Sequence, residues 1–270
     1  MHIDIVTIFP TMLAPVLGES IMKRAQAKGI VSVTVHDLRD YTHDARRTVD
    51  DRPYGGGPGM VLKPEPVFEA VDAIETKRHG RAKAAAKPCR QGNGEAGGCE
   101  VILMSPGGVR LTQALAQTLS RLDHLVVLCG HYEGVDERIR QALVDREVSI
   151  GDYVLTGGEV PAMALIDCVA RLVPGVIGHP RATEEESFAN GLLEYPHYTR
   201  PVTFRGMTVP EALRDGAHAR VTTWRKLQAV ARTWRQRPDL LEDSPARRAL
   251  EPGRARLKTQ DSRKKRSDDG

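Results

Sequence analysis

The sequence predicts an α/β protein, a parallel sheet with helical crossovers, followed by a small and mainly helical carboxy-terminal domain. Three observations carry that prediction. Strand-like runs at 3–9, 101–104 and 125–129 are each followed by helix-length sequence, the alternation that βαβ crossovers require. Glycine-bearing loops leave the later runs at 105–108, 130–134 and 149–158, where ligands gather in parallel sheets. Past Pro174-Gly175 the alternation stops, and a polar, acidic segment gives way to arginine-rich helical sequence.

Taken in order, residues 3–9 are β-branched and stop at Pro10, which suits a buried strand. Residues 12–28 are helical in character and close on Gly29 as a cap. A second strand-like run spans 30–35. The polar loop 37–59 carries Asp50-Asp51-Arg52-Pro53-Tyr54-Gly55-Gly56-Gly57-Pro58-Gly59; loops above about 12–15 residues without structure of their own are often functional. A helix over 64–76 opens on Pro64, as first turns tolerate. Residues 77–100 are dominated by Lys, Arg, Ala and Gly and read as a flexible insertion. Cys89 and Cys99 at its end are read as unpaired thiols, because their spacing is too wide for the C-x₂₋₄-C of a zinc site.

The run 101–104 then turns at 105–108 into a helix over 112–122, and 125–129 turns at 130–134 into a helix over 136–144. Next comes Ser149-Ile150-Gly151-Asp152-Tyr153-Val154-Leu155-Thr156-Gly157-Gly158-Glu159, ahead of an apolar helix over 160–173. This loop has three glycines, one aspartate and no Lys or Arg. It fits neither of the common phosphate-loop patterns. An uncharged or cationic small molecule suits it better than a triphosphate.

The predicted division is a ligand-binding α/β domain over 1–177, a mobile linker over 178–194, a helical domain over 195–251 and a disordered basic tail over 252–270. In the helix expected over 222–235, Trp224, Leu227, Ala231 and Trp234 form an apolar face that should pack. Arg225, Gln228, Arg232 and Arg235 share another, open to phosphates or simply solvated.

The totals restrict the class. With 40% apolar residues among 270, the chain can bury a sizeable core. It has neither a signal-peptide pattern nor an apolar run near the ~18 residues of a membrane span, and its four cysteines are too few for a disulfide framework. A cytoplasmic protein with no membrane association is expected. Net charge is +4, but residues 195–270 hold 18 Lys+Arg against 9 Asp+Glu, and residues 1–194 hold 21 against 26. An acidic body with a basic carboxy-terminal third points to a polyanion such as nucleic acid.

Four motifs, residues 50–60, Cys129-Gly130-His131-Tyr132-Glu133-Gly134-Val135-Asp136-Glu137-Arg138, the 149–159 loop and Gly191-Leu192-Leu193-Glu194-Tyr195-Pro196-His197-Tyr198-Thr199-Arg200-Pro201, closely resemble the bacterial tRNA (guanine-N1)-methyltransferases of the SPOUT superfamily. The resemblance covers roughly 1–245 apart from the insertion. It implies a deep trefoil knot in the α/β domain, a homodimer, S-adenosylmethionine as methyl donor and tRNA as substrate, modified at the guanine immediately 3′ of the anticodon. A magnesium requirement is compatible with it, although no metal site is discerned.

The cofactor-binding residues it implies are Ser105, Pro106, Gly130, Tyr132, Glu133, Ile150, Gly151, Asp152, Tyr153, Val154, Leu155, Gly157 and Gly158. Guanine N1 carries a proton at neutral pH, so its methylation needs a base and a donor for charge developing on O6. The family's base is an aspartate before Ser-Phe; this chain has Glu186 there, one methylene longer. Arg171 matches the family's donor, while its spacing also permits a surface pair with Asp167. Asp50, Ser187, His197 and Arg200 are the implied substrate contacts, and His131 stands where the family often has arginine. Two other classes share parts of the pattern: a non-catalytic RNA-binding protein, and a metal-dependent phosphohydrolase using Asp50, Asp51 and a histidine.

Overall fold

The computed structural model describes residues 1–79, 97–178 and 183–242. The amino-terminal run forms β1 (His2–Thr7). Two short helices follow, α1 (Ala14–Leu17) and α2 (Ser20–Ala27), where the sequence suggested one. They are separated at Gly18 and Glu19, the latter extended at φ −126°, ψ 166°. β2 (Ser32–Asp37) comes next. The long loop contains a two-residue strand, β3 (Asp50–Asp51), paired antiparallel with β4 (Val61–Leu62), before α3 (Pro64–His79).

β5 (Cys99–Arg110), α4 (Gln113–Leu119), β6 (His124–Cys129), α5 (Glu137–Ala142), β7 (Arg146–Ser149) and α6 (Glu159–Ala170) complete the α/β part. The sheet order is β2-β1-β6-β5-β7, with every pairing parallel. The expected turn at 105–108 lies within β5: pairing to Val148 passes from Met104 to Val109, so the residues between bulge out of the ladder.

Both faces of the sheet are covered, and the side chains divide by parity. Ile3, Ile5, Ile102, Met104, Leu125 and Val127 pack with α1, α2, α4 and α6 through Leu17, Met22, Leu119 and Leu165. Val6, Val101, Leu103, Val126 and Leu128 pack with α3 and α5 through Val67, Val71, Ile74 and Ile139. β7 was not anticipated, because its first residues are Arg146 and Glu147. The structure accounts for the charge: Arg146 Nε and Nη2 donate to the two oxygens of buried Glu100, at 2.9 and 3.1 Å. That fork holds its guanidinium pKa above the ordinary arginine value.

Cys99 is disulfide-bonded, which corrects the reading of it as an unpaired thiol. It sits buried at the start of β5, and Cys89 lies outside the described residues. Cys129 and Cys168 are free, and burial pushes both thiols up. Among the described residues no helix is long and apolar enough to cross a membrane.

The chain divides into two compact units, Met1–Pro180 and Arg181–Gly270. The second holds a small hairpin, β8 (Thr203–Phe204) with β9 (Met207–Thr208), then α7 (His218–Gln236) and α8 (Asp239–Glu242). The anticipated apolar face of α7 is only partly used, since Leu227 and Trp234 are exposed. Thr233 is the buried position instead; its Oγ1 accepts from Leu193 N at 2.8 Å and donates to Ala229 O at 2.7 Å. A threonine that can satisfy its hydroxyl takes the place an apolar pattern assigns to its neighbours. The tail 252–270 and most of the 77–100 insertion lie outside the described residues.

Candidate active site

In the strand order, β6, β5 and β7 are neighbours, so their carboxyl-end loops converge. A cavity of about 420 Å³ lies among them. The first loop supplies Ser105 and Pro106; the second, Gly130, Tyr132 and Glu133; the third, Ile150, Gly151, Tyr153, Val154, Leu155, Gly157 and Gly158. Twelve of the thirteen anticipated positions therefore line one pocket. Asp152 does not: it points into solvent and pairs with Arg110.

The loops are pinned to one another by their backbones. Gly158 N donates to Gly130 O at 2.7 Å, and His131 and Gly157 form an antiparallel bridge. A side chain on Gly158 would place its Cβ 2.7 Å from Cys129 Cα, so only glycine permits this approach. The Asp50 loop is tied in as well. Glu133 N donates to Met60 O at 3.0 Å, and Leu62 N to Gly134 O at 3.0 Å. Asp50 itself is half-buried in β3, opposite Leu62, and is not part of the lining.

Below the pocket lies a buried polar group that sequence reasoning missed. Glu159, 1% exposed, accepts a 2.7 Å hydrogen bond from Thr7 Oγ1. Its other oxygen is 3.8 Å from His131 Nδ1, a buried nitrogen without a hydrogen-bond partner. His131 also meets the rings of Phe9 and Tyr132 edge-on, at centroid separations of 4.9 and 4.8 Å. The missed signal was the acid closing the Gly157-Gly158-Glu159 run at the start of α6. Only the fold reveals that it turns inward. One cation does line the pocket, Arg140 of α5, but Glu137 and Glu147 hold it at 3.6 and 3.4 Å, leaving no isolated positive charge.

Arg171 follows α6 as its cap, with its backbone N–H donating to Asp167 O at 3.2 Å, and it is not in the lining. Glu186, Ser187, His197 and Arg200 belong to the second unit. Glu186 is half-buried in a tight turn, its carbonyl accepting from Ala189 N at 3.1 Å, whereas Glu184 and Glu185 are exposed. Ser187 Oγ accepts from Glu194 N at 3.0 Å, and His197 Nε2 lies 2.8 Å from Glu194 Oε1. Arg200 is exposed. Arg225 stacks over Tyr195 at 4.8 Å, and Trp224 packs on Tyr198 with centroids 6.2 Å apart. A second cavity of about 310 Å³ is lined by Pro196, Gln228, Ala231, Arg232, Arg235 and Gln236.

A parallel α/β unit with a mainly uncharged, cofactor-sized pocket at its strand ends, in one chain with an arginine-bearing helical unit, has the parts of an enzyme that acts on a polyanion. The profile of the tRNA (guanine-1)-methyltransferase family TrmD matches residues 1–243, and the chain belongs to that family. Its relatives include the tRNA (guanine-N(1)-)-methyltransferase of Moorella thermoacetica, 52% identical over 241 residues, covering 89% of this chain and 90% of the relative. The Bacillus subtilis enzyme is 50% identical over 245 residues, 91% and 94% of the two chains. That of Staphylococcus epidermidis is 48% identical over 262 residues, 96% and 99%. The chain is accordingly an S-adenosylmethionine-dependent enzyme that methylates N1 of a guanine in tRNA.

The pocket fits that cofactor. Its volume is in the range of about 300–1,000 Å³ usual for small-ligand sites. Backbone and apolar side chains of the three loops make up most of its lining, the kind of surface an adenine would need. Tyr132, Val154 and Leu155 are exposed apolar groups at the same loops, and a sulfonium meets no unpaired cation there.

Proposed function

We propose that the chain methylates the guanine immediately 3′ of the tRNA anticodon, position 37, with Glu186 as general base and Arg171 as the donor to O6. The observation that carries this reading is the convergence of three glycine-bearing loops on one pocket free of unpaired cations. S-adenosylmethionine bound there supplies an electrophilic methyl group. The rest of the chemistry belongs to side chains of this chain. Glu186 takes the N1 proton, which frees the lone pair of the base. Arg171 donates to O6 as negative charge develops there, a charge-assisted contact that strengthens toward the transition state. Ser187, His197 and Arg200 hold the splayed nucleotide, and Asp50 shapes the entrance beside the second loop. Glu186 differs from Glu184 and Glu185 in being half-buried, which suits a carboxylate that must meet a base edge rather than water.

The same reading gives the α/β unit a trefoil knot. The backbone bonds that bind the 149–158 loop to the 130–134 loop support it. It makes the second unit the tRNA-binding domain, the protein a homodimer, and its location cytoplasmic, where tRNA is found. Exposed Tyr153, Val154 and Val160 favour a second copy over solvent; sedimentation at one chain's mass at micromolar concentration would remove the dimer from the proposal. Glu133 is the only carboxylate in the described lining, so magnesium, if the reaction used it, would need phosphate oxygens as further ligands.

Incubation with unmodified tRNA and S-adenosylmethionine, followed by nucleoside analysis, should yield N1-methylguanosine at position 37 alone. Single-turnover methylation by Glu186→Gln should fall about 10²–10⁴-fold, the usual span for loss of a general base. A near-normal rate would sink Glu186 as the base while leaving the substrate intact.

A further inference from the structure

Opposite the pocket, at the amino ends of β1 and β6, three ligand-type side chains meet. His2 and His124 are paired across the two strands, and Asp4 lies two residues on from His2, on the same face. Asp4 Oδ2 is 2.7 Å from His124 Nε2 and 3.0 Å from His2 Nε2. Asp4 and His124 are buried, while the His2 side chain is 42% exposed. Each group is held from behind. His36 Nε2 sits 2.7 Å from Asp4 Oδ1, with its Nδ1 2.8 Å from Tyr41 Oη. His2 Nδ1 meets Ser32 Oγ, and His124 Nδ1 lies 3.5 Å from Cys99 Sγ.

The last contact orients the His124 ring. Cys99 is disulfide-bonded, so its sulfur carries no hydrogen and can only accept. His124 Nδ1 is the donor to it, and His124 Nε2 faces the Asp4 carboxylate oxygen 2.7 Å away. That leaves Nε2 as the His124 atom turned toward the Asp4 carboxylate, in a group of three ligand-type atoms that lie within 4.8 Å of one another. His2 Nε2 converges on the same oxygen.

We propose that His2, Asp4 and His124 bind a divalent transition-metal ion of the zinc class. Two imidazole nitrogens and one carboxylate select such an ion over magnesium or calcium, which prefer all-oxygen shells. Three protein ligands leave a fourth position for water, and the exposed side of His2 is where it enters. Tetrahedral ligands about 2.0–2.1 Å from zinc stand roughly 3.3 Å apart, so the observed 2.7 and 3.0 Å need to open only slightly. His36, Ser32 and Cys99 supply the outer contacts that fix ring orientation. The ion joins the starts of β1 and β6 and has no part in methyl transfer. The ligands are two and 120 residues apart in the chain, which is why no spacing motif announces them.

Tag-free, chelator-treated protein titrated with Co²⁺ should develop the visible absorption of a tetrahedral site at one ion per chain, and Zn²⁺ should abolish it. Zn²⁺ should also raise the melting temperature. His124→Asn should remove the signal; because that position is buried, His2→Gln is the decisive partner variant. It should keep the native circular dichroism, weaken Co²⁺ binding at least about tenfold and lose the zinc-induced rise in melting temperature. The proposal is overturned if chelator-treated protein takes up no Co²⁺ at millimolar concentration, or if His2→Gln binds it as tightly as the parent. It is equally overturned by an Nε2–H resonance on His124 that persists with Zn²⁺ present, the mark of a buried imidazolium instead.

Discussion

Gly158 shows most directly how single residues make this site. Its role is steric: a Cβ would lie 2.7 Å from Cys129 Cα and 2.8 Å from Gly130 N, both backbone atoms that cannot swing aside. Overpacking of this kind costs about 1–3 kcal/mol, and here the strain would separate the second loop from the third. Gly158→Ala is therefore expected to lower the melting temperature and to abolish binding of S-adenosylhomocysteine in calorimetry. Gly178→Ala, with nothing within 4 Å of the added atom, should change stability by less than about 0.5 kcal/mol. Equal behaviour of the two variants would contradict this account. Glu159 makes the complementary point. A carboxylate 1% exposed is tolerable only because Thr7 donates to it and His131 stands nearby. Neither partner is adjacent in sequence, so the pattern Gly-Gly-Glu could not disclose it.

At the scale of elements, the strands and crossover helices of the first unit were legible because their periods are set by burial on two faces. The alternation of Val101, Ile102, Leu103 and Met104 between the two cores is the clearest case. What escaped was decided by partners far along the chain. β7 looks too charged to be a strand until Arg146 finds Glu100, and β5 runs on through a Ser-Pro-Gly-Gly sequence that reads as a turn. The pocket loops were legible as glycine-bearing strand ends; the exclusion of Asp152 was not, because its partner Arg110 is 42 residues away. On α7 the arginines separate into two kinds. Arg225 packs over Tyr195 and faces Glu185 at 3.9 Å, whereas Arg235 is exposed beside the second cavity. Arg235→Ala should weaken tRNA binding uniformly across sequences, reduce the salt slope by about one and leave the melting temperature alone. Arg225→Ala should lower both affinity and melting temperature, and a selective loss of tRNA binding alone would contradict the packing role.

For the whole molecule, the distribution of charge separates two binding events. Residues 1–194 carry an excess of five acidic groups and residues 195–270 an excess of nine basic ones, although the total is only +4. The three-loop pocket lies within the acidic part, and Arg140, the arginine in its described lining, is neutralised by Glu137 and Glu147. Binding of a small zwitterionic ligand there releases few counterions and should be nearly indifferent to salt. Binding of tRNA by the basic part should release one counterion for each phosphate neutralised, so the logarithm of the association constant should fall linearly with the logarithm of salt concentration. With about 4–6 contacts and the roughly −0.7 to −0.9 slope per contact, affinity should drop about 50–2,000-fold between 50 and 200 mM salt. Calorimetry with S-adenosylhomocysteine and filter binding with tRNA, run in the same buffers, give the two slopes directly. A steep slope for the cofactor would mean that the pocket holds an unpaired charge. A flat one for tRNA would mean that the basic third is a solubilising surface, and the substrate would have to be held by other contacts, such as those of Ser187 and His197, instead.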